Sequence, residues 1–201
     1  LIAIRYYCQN DFDSLSIGEE AAVTEDEEIA ELMDRIARLH SARRRSAALP
    51  EAQVAALDYL ARANRFSRSP SAVADYLAAT RGTVSQTLIA LARKGLVTEE
   101  PAPDDRRSRI YSLTPEGRAE IGGAAPGPDW DGGQPGTKAR LIAGLSTALA
   151  VMIRDAGGRS FGLCRTCRHH RPGRDGAFCA LLGVALATAE ADQICAEHQA
   201  A

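Results

Sequence analysis

The chain has 201 residues, 45% hydrophobic and only 5% aromatic, which is enough apolar content for one large domain or a domain with an appendage. It holds no run of about 18 apolar residues, which excludes a helical membrane span, and its apolar start (Leu1 to Ile4) runs into acidic residues rather than a secretory signal, so a cytoplasmic location is expected. The net charge of −2 hides a division: residues 11–34 carry ten acidic groups and no Lys or Arg, while residues 35–68 carry eight Arg and two acidic groups. Phosphate binding follows the local field and is not excluded by the net charge.

Residues 1–24 read as irregular. From Glu25 to about Arg45, Ile29, Leu32, Met33, Ile36 and Leu39 recur on one face of a helix. A second helix spans Leu49 to Asn64, with Pro50 in its first turn and Val54, Leu57 and Leu60 facing inward. A third starts at Ser69-Pro70, with Ser69 as N-cap and Val73 and Leu77 buried. The fourth runs from about Gly82 to Lys94, with Val84, Leu88 and Leu91 as its buried stripe and Gly95 as its stop. Two short strands follow, Leu96 to Glu100 and Arg109 to Leu113, joined by a Pro- and Asp-bearing loop. Thr114-Pro115 opens a further short helix. Residues 122–136 hold six Gly and three Pro and read as a linker, within which Trp130 reads as a docking residue. Residues 137–157 then form a helix whose face of Leu141, Leu145, Leu149 and Met152 is too apolar to stand alone in water.

The third and fourth helices with the hairpin carry the chemistry of duplex reading. A recognition helix must turn apolar side chains to the core and short polar ones to base edges. Val84, Leu88 and Leu91 point one way, while Arg81, Thr83, Ser85 and Gln86 lie on the other side near the helix start. Gln pairs with adenine, Arg with guanine, and Ser or Thr with bases or phosphates. On the hairpin, Arg106, Arg107 and Arg109 flank a tight turn suited to a narrow minor groove.

Several motifs coincide here: Leu49-Pro50-x-x-Gln53, Thr83-Val84-Ser85, Arg93-Lys94-Gly95-Leu96-Val97, and Asp105-x-Arg107-x5-Leu113-Thr114-x-x-Gly117. On them, residues 26–121 resemble the winged helix-turn-helix of the MarR family of bacterial transcriptional regulators. The resemblance implies that Asp105 and Arg107 order the wing by pairing and that a wing Arg probes the minor groove. It also implies a homodimer built from N- and C-terminal helices, here 25–45 and 137–155, binding palindromic double-stranded DNA.

Of five cysteines, Cys8 is alone and reads as an incidental thiol. The others follow the pattern Cys164-x2-Cys167-x11-Cys179-x15-Cys195. Four thiolates at this spacing point to a metal centre, since a disulfide scaffold is foreign to a cytoplasmic chain of this size. Zinc usually takes two close pairs, whereas only one pair is close here, which favours a larger cluster. The segment from Cys164 to Cys195 resembles the cluster-binding segment of high-potential iron–sulfur proteins, with most of that family's aromatic residues replaced by His and Ala. The resemblance implies a [4Fe-4S] cluster. Zn2+ is the alternative, with His169, His170 and His198 as further ligands if one Cys is spare.

The expected architecture is mainly α: a winged helix-turn-helix with a small two-stranded wing (25–121), flanking dimerisation helices, and a C-terminal Cys-rich metal-binding appendage (158–201). The expected function is a DNA-binding regulator with redox or iron sensing. An enzyme is not expected, because no nucleophile–base pair or phosphate-binding Gly loop occurs. A small-molecule ligand is possible but not indicated.

Overall fold

The computed structural model describes residues 23–44, 48–102, 108–122, 128–131, 134–173 and 176–200. It divides into two units, residues 1–39 and 40–201. The first contains most of helix α1 (Glu25–Arg43), which buries none of its residues. Thr24 and Glu27 cap its start reciprocally: the Thr24 backbone N–H donates to the Glu27 carboxylate and the Glu27 N–H donates to the Thr24 hydroxyl. Its apolar stripe is present but faces outward, with Ile29, Leu32, Ile36 and Leu39 all about half-exposed.

The second unit begins with α2 (Glu51–Arg62), α3 (Pro70–Tyr76) and α4 (Arg81–Arg93). Their inward faces meet in one core containing Leu57, Leu60, Val73, Leu88 and Leu91, all essentially inaccessible. Ser69 caps α3, its hydroxyl accepting from Ala72 N–H at 3.2 Å. Thr80 caps α4 in the same way through Thr83 N–H, so Arg81 is already helical. Helix α4 ends at Gly95, whose φ of +71° suits the left-handed stop.

Strands β1 (Val97–Pro101) and β2 (Arg109–Leu113) pair antiparallel, with Val97 opposite Leu113 and Pro101 opposite Arg109. Helix α5 (Pro115–Gly122) follows, so Gly122 belongs to this helix and not to the linker. The family motifs have visible work here. The Thr114 hydroxyl donates to the Gly95 carbonyl at 2.8 Å and accepts from Gly117 N–H at 3.0 Å. A Cβ on Gly117 would stand 2.0 Å from the Leu96 carbonyl oxygen, so only glycine lets α5 approach β1 this closely. Lys94 Nζ donates to Gln53 Oε1 at 2.8 Å, joining the end of α4 to α2.

Helix α6 (Thr137–Asp155) buries no residue, and Ile142, Leu145, Leu149 and Met152 are all exposed. Asp131 secures its start by accepting from Lys138 N–H and pairing with Lys138 Nζ at 2.8 Å. Trp130, expected to dock, is 49% exposed instead. No helix among the described residues is long and apolar enough to cross a membrane.

The C-terminal segment differs most from expectation. Among its described residues are five short strands: β3 (Gly162–Leu163), β4 (His170–Gly173), β5 (Gly176–Cys179), β6 (Val184–Leu186) and β7 (Ile194–Cys195). Strand β3 pairs with β7, while β4, β5 and β6 form a three-stranded antiparallel sheet in that order. The segment is no loose appendage: Ile194 lies in the main core, and Phe161 and Leu163 pack against it. The Phe161 ring stands edge-on to Tyr76 at 5.2 Å, and Tyr76 in turn lies 4.6 Å from Tyr59.

Candidate nucleic-acid interface and cysteine centre

At the start of α4, Arg81, Thr83 and Gln86 are exposed on the side away from the core, while Ser85 is half-buried. The Thr83 hydroxyl lies 2.8 Å from that of Thr80, so it is partly held by the cap. The free N–H groups at a helix start favour an anion, and an Arg placed there is better matched to a phosphate than to the helix's own dipole. In the wing, Arg109 Nε stands 3.3 Å from Glu99 Oε1 across the strand pair. That contact fixes Arg109 against β1, so it braces the wing as well as facing outward. Asp105, Arg106 and Arg107 lie outside the described residues.

The wing root is tied to the segment between α2 and α3. A 3-10 turn, Arg65–Ser67, fills this connection. Arg68, just after it, accepts from Tyr111 N–H at 3.0 Å through its carbonyl. Its guanidinium donates to the Ala63 carbonyl and to the Ser112 hydroxyl. Burial pushes the Arg68 guanidinium below the usual arginine range, with Arg118 adding to the shift. Arg65 to Arg68 therefore positions β2 against the helices.

The Cys-bearing segment docks on this same turn. Asn64 N–H donates to the Ile194 carbonyl at 2.9 Å, and Ala196 N–H donates to the Ser67 hydroxyl at 2.8 Å. Arg65 pairs with the buried Glu190 at 2.7 Å and donates to the Ala185 carbonyl. At the other end of α3, Arg159 stands 3.6 Å from Asp75 and 3.0 Å from Glu197. Asn64, Arg65, Ser67, Arg159 and Glu190 carry no local signal in the sequence, because their partners lie from 38 to about 130 residues away.

Cys164 opens a 3-10 turn immediately after β3, and Cys167 closes it. Cys195 sits in β7 opposite Gly162, and Cys179 ends β5. Cys164, Cys179 and Cys195 are buried, Cys167 is half-buried, and none of the four is in a disulfide. Cys164 and Cys179 share a small core with Leu186, against which Phe66 packs. Burial pushes the Cys164 thiol up to about 11, with the charges of Cys195, Cys179, Cys167 and Glu190 adding to it. Cys164 thus sits where a thiolate needs a cation beside it, and four cysteines are by their donor chemistry a metal-ligating set. As they are placed, no group of three or more His, Cys, Asp or Glu among the described residues is arranged so that it could hold a metal ion. His198 is engaged by Thr166 at 3.0 Å and Ser160 at 3.2 Å, and His169 by Gln199 at 3.0 Å. His170 Nε2 is buried without a partner.

A cleft of about 490 Å3 lies between the end of α3, the last turns of α6 and residues 158–161, lined by Tyr76, Leu149, Met152, Ile153 and Phe161 among others.

Residues 49–108 match the model of the MarR family. Among solved structures, the chain is similar to a MarR-family transcriptional regulator from Silicibacter pomeroyi, with 25% identity over 66% of this chain and 94% of that one, at a TM-score of 0.54. It is also similar to BpsR of Bordetella bronchiseptica, described for regulation of its DNA binding by 6-hydroxynicotinic acid (23% identity, 62% and 95% covered, TM-score 0.48). A third is the PcaV regulator of Streptomyces coelicolor in complex with its natural ligand (20% identity, 68% and 96% covered, TM-score 0.42). No curated protein matches the chain. The four clustered cysteines lie beyond the residues that the family model matches. Motif, fold and family model agree over residues 49–108: this part of the chain is similar to the winged helix-turn-helix of MarR-family transcriptional regulators.

Proposed function

We propose that this regulator works as a homodimer on palindromic duplex DNA and that its four clustered cysteines hold a metal centre whose state sets DNA affinity. Arg81, Thr83, Ser85 and Gln86 face the major groove, and the wing arginines Arg106, Arg107 and Arg109 face the minor groove. Half-sites about 34 Å apart suit such a dimer. The centre is a [4Fe-4S] cluster sensing redox state or iron, as the resemblance of the Cys164–Cys195 segment implies, with zinc as the alternative. A cluster supplies a change of charge or its own loss on oxidation; the chain's residues carry that change onward.

The carrying observation is the docking of the Cys segment on the turn between α2 and α3. Ala196 grips Ser67, Arg65 grips Glu190, and the neighbouring Arg68 holds β2. Movement of β7 therefore reaches the wing root without passing through α6. Anaerobic purification with metal and sulfide analysis tests the centre. Brown protein with iron and acid-labile sulfide supports the cluster, colourless protein with one zinc selects the alternative, and metal-free protein rejects both. On an operator selected from random duplexes, the loaded and stripped forms are expected to differ at least tenfold in affinity. Equal binding would remove the sensing role. For Gln86→Ala, a loss of about 1–3 kcal/mol is expected, concentrated at one base pair.

A second reading, a small-molecule effector, is favoured by the cleft between α3 and α6 alone. An affinity change on adding an apolar aromatic acid to stripped protein would support it.

A further inference from the structure

We propose that His170 Nε2 donates a hydrogen bond to the Cys179 sulfur of the metal-loaded centre, which makes His170 a positioning residue of that centre. The inference rests on the proposal that the four cysteines bind metal. Three observations carry it. His170 and Cys179 are direct partners in the β4–β5 register. Residues directly opposite in an antiparallel pair share a face, with Cβ atoms about 4.5–5.5 Å apart. The ring nitrogen is buried and has no partner. A buried polar atom left so costs about 1–3 kcal/mol and calls for an acceptor. Finally, the His170 backbone N–H donates to the Cys167 carbonyl at 3.0 Å, so the residue is anchored to the Cys164–Cys167 turn itself.

The chemistry selects a donor role over a ligand role. Four thiolates complete the set that either centre requires, and their combined charge exceeds that of the metal. A metal-bound thiolate keeps lone pairs and is an anionic acceptor. An N–H aimed at it offsets charge and holds the sulfur in place. The other two candidate histidines are already spoken for by Thr166, Ser160 and Gln199.

The test uses the full chain, stripped and reloaded with Zn2+ alone or with Fe2+ and sulfide, whichever the wild type retains through gel filtration. Release to EDTA is followed by elemental analysis. His170→Phe keeps a ring and removes the nitrogen, and His170→Leu replaces it if the Phe variant does not fold. His170→Gln keeps an N–H at the same reach. Release is expected to be tenfold or more faster in the Phe variant and within about threefold of wild type in the Gln variant. Unchanged release from His170→Phe overturns the proposal. So does a Gln variant as leaky as Phe, which would make the imidazole a ligand or a packing group. A wild type that retains neither metal overturns the metal reading above and this one with it; a metal-bearing wild type with an indifferent Phe variant overturns this one alone.

Discussion

Single residues here mostly serve approach and satisfaction. Gly117 admits the Leu96 carbonyl, Thr80 and Ser69 close helix starts, and Tyr59 bridges the helices to the docking turn. The Tyr59 hydroxyl donates to the Ser67 carbonyl at 2.7 Å from a fully buried position. Burial, and then the neighbouring Tyr76, push its phenol well above the ordinary tyrosine range. Because the folded value lies above the unfolded one, the contribution is intact below about pH 10 and is lost as pH rises beyond it. Tyr59→Phe should cost about 1–2 kcal/mol at neutral pH by stranding the carbonyl. Its stability should also decline less than wild type above about pH 10. Denaturant titrations at several pH values check both, and parallel declines would show that Tyr59 does not govern the alkaline limb. These residues were readable in part: the Ser69 cap and the Gly117 motif stand in the sequence, while the Thr80 cap and the partner of Tyr59 emerge only from the fold.

Among elements, the 3-10 turn Arg65–Ser67 matters more than its length suggests. In the sequence it is a gap between two amphipathic helices. In the structure it ends α2 early, because Asn64 leaves the helix to bond Ile194, and it receives both β7 and the wing root. Its ion pair joins Arg65 to Glu190, an acid only 6% exposed. Glu190 also accepts from Ala187 N–H at 2.8 Å, so it shapes the turn before β7. Arg65→Ala leaves that carboxylate buried without its cation and should cost roughly 1–3 kcal/mol. Hydrogen exchange should speed up in residues 186–196 more than in α4. Uniform acceleration across the domain would mean that the Cys segment does not dock as a separate unit.

Across the whole molecule, two long helices expose the apolar faces that the sequence marks as needing a partner. In α6, Leu145, Leu149 and Met152 are each about half-exposed. Burying the rest of each gains roughly 1 kcal/mol per side chain and per copy. Leu145→Glu combined with Leu149→Glu should therefore convert a dimer to a monomer in sedimentation equilibrium with little change in monomer helix content. A wild type that is monomeric at tens of micromolar would remove the dimer proposal. The sequence by itself determined the helices, the hairpin and the spacing of the thiols, because periodicity, caps and turn residues act within a few positions. It also marked the side of α4 that faces away from the core, since Val84, Leu88 and Leu91 fall on the opposite face from Arg81, Thr83 and Gln86. Only the tertiary structure decided where the Cys segment sits, what Arg65, Ser67 and Arg159 hold, and that His170 Nε2 is left unpaired. Those contacts join residues far apart in the chain, and they arise from the burial of Ile194 and Phe161 in a common core rather than from any local preference of the backbone.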